Sequence, residues 1–95
     1  MKTVGQESAE TSALRILAWL AANDDLMPLF MGATGASAQD LKKNAANPVF
    51  LASVLDFVQM DDNWVIQAAE AVELRPDQIA SVRAYLPGGD LPNWT

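Results

Sequence analysis

The chain has 95 residues, 51% hydrophobic and 19% charged, with 12 acids against 6 bases and a formal charge of −6. That is apolar material enough for the core of one domain and too much for a disordered chain. There is no cysteine and no histidine, so disulfides and thiolate metal sites are excluded, and the commonest general base and transition-metal ligand are missing. The acidity repels nucleic acid and anionic membrane at long range.

The first element is a helix expected from about Ser8 to Ala22. Leu14, Leu17 and Ala21 share one stripe, with Ala13, Ile16 and Leu20 beside it and Trp19 and Ala18 extending the apolar surface further round. A helix apolar on nearly every side is buried centrally or lies in an interface. Asn23, Asp24 and Asp25 follow as capping residues. Proline belongs in a first helical turn, so Pro28 favours Asp25 as the cap. Leu26, Leu29, Phe30 and Ala33 then give the second helix an apolar face at i, i+3, i+4 and i+7.

Gly35 suits a left-handed C-terminal residue. Ser37 and Asp40 stand in capping-box positions for a third helix anchored by Leu41, with Lys42 and Lys43 in its C-terminal half. Asn47-Pro48 marks a restart, a cap followed by proline at the first helical position. The fourth helix places Leu51, Val54, Leu55 and Val58 on one stripe, flanked by Phe50 and Phe57, with Ala52, Asp56 and Gln59 facing away. Asp61, Asp62 and Asn63 cap a fifth helix through Trp64, Val65, Ala68, Ala69 and Val72. Pro76 opens a sixth that uses Ile79, Val82 and Leu86, and Pro87-Gly88-Gly89 stops it.

The reading is all-α: a compact bundle of about six helices in a single domain over residues 8–86. Flexible segments are expected at 1–7 and 87–95. A shift of 38 residues, the separation of Asp24 from Asp62, brings the two halves into register without a gap. Ile16, Leu17, Trp19 and Leu20 fall on Val54, Leu55, Phe57 and Val58, and Leu41 falls on Ile79. Residues 13–46 and 51–84 are thus expected to form two similar three-helix units, packed face to face around the long helices.

No catalytic, cofactor or metal-ligating constellation emerges. The acid pairs Asp24-Asp25 and Asp61-Asp62 lack the alternating ligands and central glycine of a calcium loop, and they stand where helix N-termini favour negative charge. Ser53 has no base to activate it. The residues to watch for an interaction surface are Trp19, Arg15 and Trp94, since the first helix is more apolar than one buried face requires. Lys42, Lys43, Arg75 and Arg83 would form a basic end if the third and sixth helices lie together. That is the footing for a weaker, nucleic-acid-binding alternative. The expectation is a non-enzymatic cytoplasmic module that needs no cofactor. It binds a protein partner or a second copy of itself, with nucleic acid disfavoured and no membrane association.

Three segments together resemble a small bacterial family, a domain of unknown function designated DUF3572. They are Leu17-Ala18-Trp19-Leu20-Ala21, Thr34 to Leu41 around Gly35, and Asn47 to Phe57 through Pro48 and Phe50. The resemblance spans roughly residues 9–86. At the central turn Ala36 and Ser37 replace the family's larger apolar residue and acid. The resemblance implies a helical fold and a bacterial cytoplasmic setting, and it brings no catalytic residues with it.

Overall fold

The structure is a computed structural model and describes residues 4–87. Six helices follow in order: α1 (Val4–Ala21), α2 (Met27–Thr34), α3 (Ala38–Asn44), α4 (Pro48–Val58), α5 (Asp62–Ala71) and α6 (Pro76–Ala84). There is no strand among the described residues. α1 begins at Val4, ahead of the expected Ser8, so the end of the segment expected to be flexible is helical.

Local chemistry explains where most helices begin. The Ser37 hydroxyl accepts the Asp40 N–H at 3.2 Å, while the Asp40 carboxylate accepts the Ser37 N–H at 2.9 Å, completing the expected capping box. Asn47 accepts from the Val49 N–H at 2.9 Å ahead of Pro48. Asp61 accepts from the N–H groups of Asn63 and Trp64 at 2.8 and 3.3 Å.

The start of α2 departs from expectation. Asn23, not Asp25, is the capping side chain; its Oδ1 accepts from the N–H groups of Asp25 and Leu26, both at 3.0 Å. The Met27 N–H then bonds the Asn23 carbonyl. Pro28 has no N–H to offer the Asp24 carbonyl, so the ladder is interrupted there. Residues 24–26 remain a turn, and the regular helix begins only at Met27. Proline thus divides the segment into a capped turn and a helix, and Asp24 and Asp25 are left exposed.

α1 packs most extensively on α4 and also contacts α5 and α6; α5 pairs with α6, and α4 closes the group. The core of this four-helix body holds Ala13, Ile16, Leu17 and Leu20 of α1, Leu51, Val54, Leu55 and Val58 of α4, Ala68 and Ala69 of α5, and Ile79 and Val82 of α6. Leu86, beyond α6, is buried as well. The expected α4 stripe is therefore the buried one, but Ala52 is buried too, contrary to expectation. A methyl group is small enough to lie at the edge of a helix–helix contact that a larger side chain would open. In α1 the inner face is rotated from the expected stripe, because Ala9 and Ala13 bury their methyl groups while Leu14 and Ala21 face solvent. In α2 only Phe30 is buried; Leu29 and Ala33, expected on the same face, are exposed.

Several caps and backbone angles recur at positions 38 residues apart. Asn23 and Asp61 each accept from the second and third following N–H groups. The Ser37–Asp40 box is matched by the Arg75 N–H donating to Gln78 Oε1 at 2.8 Å. Gly35 and Glu73 both adopt left-handed backbone, with φ of 76° and 61°. The packing does not follow the same correspondence. α2 and α3 have no helix packed along them as extensively as α5 and α6 do. The four-helix body instead carries α2 and α3 as an arm, held by Leu26, Phe30 and Leu41.

Candidate functional site

The residues expected to form an interaction surface begin on α1. Its inner face is fully committed to the core, yet Leu14, Arg15, Ala18 and Ala21 on the other side are exposed, as is Ala22 just beyond the helix. Leu14, Ala18 and Ala21 recur at helical spacing and make a shallow apolar ridge, with Leu14 45% exposed at its head. Trp19 lies at the edge of this face; it is half-buried, with part of its ring against the core. Trp94 lies outside the described residues. A groove beside the ridge is lined by Leu14, Ala45, Ala46 and Leu51, with Glu7 and Glu10 among its polar residues.

Lys42 and Lys43 stand in the last turn of α3, Arg75 at the start of α6 and Arg83 in its last turn. α3, carrying Lys42 and Lys43, does not pack extensively on α6. Two of the four also have carboxylate partners. Arg83 donates through Nε to Asp56 Oδ1 at 2.6 Å and through a second nitrogen to Asp56 Oδ2 at 3.3 Å, while its remaining nitrogen bonds the Pro87 carbonyl at 3.0 Å. Its side chain is only 18% exposed, so this arginine fastens the end of α6 to α4. Arg75 pairs with Asp77 at 3.1 Å on the surface. That bond is the main cause holding the Asp77 carboxyl below its ordinary value. In Asp40 the backbone N–H of Ser37 is the leading cause, followed by the Ser37 hydroxyl, with Lys43 adding attraction.

Among the described residues no group of three or more acids is placed to hold a metal ion, and no helix is long and apolar enough to cross a membrane. Sequence reasoning did not single out Phe30, Phe50, Phe57 and Trp64 as a connected aromatic group. Phe30 meets Phe57 and Phe50 edge-on, with ring centroids 5.3 and 6.1 Å apart, and Phe57 stacks on Trp64 at 4.8 Å. Phe50 and Phe57 are seven positions apart on one helix, a hint of a shared side. Nothing local placed Phe30 against both.

These features define a small all-α bundle with an exposed apolar ridge on α1 and a largely buried aromatic group joining α2, α4 and α5. Residues 6–89 match the family model described as Protein of unknown function (DUF3572), and the chain belongs to that family. No curated protein matches it, and no solved structure does.

Proposed function

We propose that the chain is a non-enzymatic protein-interaction module that uses the outer face of α1. The observation that carries this reading is the exposed ridge of Leu14, Ala18 and Ala21 on a helix whose opposite face already fills the core. Small side chains let another helix approach closely, and Leu14, Arg15 and Trp19 supply larger contacts at the margin. The nucleic-acid alternative draws less support, because Arg75 and Arg83 are engaged by Asp77 and Asp56. We place the module in the bacterial cytoplasm, as the family resemblance implies.

The test compares wild type with Ala18→Glu, a change at an exposed helical site that leaves the core untouched. Sedimentation velocity over a wide concentration range reads self-association. Affinity capture from a bacterial lysate, with mass-spectrometric identification, reads other partners. Association or capture that is lost in Ala18→Glu, with an unchanged thermal melt, supports the reading. A wild type that stays monomeric and captures the same set as the variant overturns it.

A further inference from the structure

The outer face of α1 carries charges that its own chain leaves unmatched. Arg15 is exposed on the ridge face, one helical turn before Ala18 and two before Ala22. Asp24 and Asp25 follow just beyond the end of the helix, and both are exposed. Neither is needed as a cap, since Asn23 accepts the N–H groups of Asp25 and Leu26. Among the described residues, none of these three charged side chains has a hydrogen-bond or ionic partner.

The two acids stand at the negative end of the α1 dipole, where the last turn holds no basic residue. Negative charge is unfavourable at that end, and a cation relieves it. Arg15 is the only base within α1, yet it cannot serve its own chain. Ten positions of helix would separate it from Asp25 by about 15 Å, farther than the two side chains reach together.

A second α1, turned end for end, supplies what is missing. The antiparallel register that sets Ala18 of one copy against Ala22 of the other also sets Arg15, three residues earlier, against Asp25, three residues later. Two-fold symmetry makes the same contact twice, so each Arg15 meets the acidic end of the other copy. Alanines at the crossing let the two backbones approach closely.

We propose that the partner of the α1 face is a second copy of this chain. The pairing is antiparallel and two-fold, and it joins Arg15 of each copy to Asp24 and Asp25 of the other. This inference rests on the α1 reading above and names its partner. A net charge of −6 per copy opposes the approach. At physiological salt, however, that repulsion is screened beyond about 8 Å, and pairs partly buried in a contact are screened less.

Sedimentation velocity on the full chain tests it, over a wide concentration range at about 0.15 M salt. Wild type is compared with Arg15→Glu, with Asp24→Arg plus Asp25→Arg, and with all three changes together. Wild type should dimerise. Each charge reversal should weaken the dimer about tenfold or more, because like charges then meet at both ends. The combined variant restores opposite charges and should recover most of the affinity. The acid-to-arginine variant is the sharpest comparison: its net negative charge is smaller, so general repulsion alone would make it associate more tightly than wild type. A wild type that is monomeric at every concentration overturns the proposal. So does an acid-to-arginine variant that dimerises as well as wild type, or a combined variant no tighter than either reversal alone. A monomeric wild type that loses a captured protein on Ala18→Glu would sink this inference and leave the α1 reading standing.

Discussion

Two residues show how much a single backbone angle contributes. Gly35 and Glu73 hold corresponding left-handed positions, but only one is glycine. A side chain in that region meets its own backbone, at a cost of about 1 kcal/mol. A Cβ added at Gly35 would touch nothing within 4 Å, so the cost of Gly35→Ala is conformational and expected at about 1 kcal/mol. Glu73→Gly should act oppositely, stabilising the fold by up to about 1 kcal/mol at an exposed site. Urea unfolding of the two variants beside wild type checks both signs. If Glu73→Gly destabilises, the left-handed strain is not the governing term. Sequence reasoning identified Gly35 because glycine announces its freedom. Glu73 was invisible, since nothing in a glutamate signals the angle it is forced to adopt.

At the scale of the element, capping side chains decide where helices begin. Ser37→Ala removes the acceptor for the Asp40 N–H, and Asp61→Ala removes the acceptor for two N–H groups. Each is expected to lower stability by about 1 kcal/mol, read from the shift in denaturation midpoint. The Ser37 bonds lower the pKa of Asp40 in the folded chain. A depressed folded pKa means that its contribution is present above the ordinary unfolded value and fades as pH falls through the folded one. The stability gap between wild type and Asp40→Asn should therefore be open at neutral pH and narrow below about pH 4. A gap that is constant from pH 7 to pH 3 would show that the carboxylate charge contributes nothing. Starts of this kind were legible wherever a cap and its N–H groups lie within three residues. Pro28 does stand in the first turn of α2, but the side chain that caps the segment is Asn23 rather than Asp25, because the turn of residues 24–26 lies between cap and helix.

For the whole molecule, stability is concentrated in the contact between α1 and α4. Leu55 is fully buried there, so Leu55→Ala should cost about 2–5 kcal/mol, a large part of the total for a domain of this size. Leu29 is 53% exposed, and Leu29→Ala should change stability by less than about 0.5 kcal/mol. Thermal or urea melts of the pair measure the contrast, and a similar loss in both would place α2 inside the cooperative core. The Arg83–Asp56 tie joins α6 to α4, but Asp56 is largely exposed. A double-mutant cycle through Arg83→Ala and Asp56→Ala should return a coupling below about 1 kcal/mol, because solvent screens the pair.

The six helices, their caps at Ser37, Asn47 and Asp61, the left-handed Gly35, the buried stripe of α4 and the family were all legible in the sequence. Each of these rests on residues a few positions apart, or on a pattern along one helix, so neighbours in the chain suffice. Tertiary structure alone decided which side of α1 turns inward, why Ala52 is buried while Leu29 is not, and where Arg83 finds its partner. An alanine fits a core or a surface equally well, and a short helix with one large anchor can lie at several angles; only a surface from elsewhere in the chain resolves either. α5 and α6 pack along the other long helices, whereas α2 and α3 are held chiefly through Leu26, Phe30 and Leu41. In the candidate surfaces, Trp19 and Arg15 were visible because α1 is unusually apolar. The aromatic site beneath Phe30 was not, because it brings together three helices that the sequence lists separately.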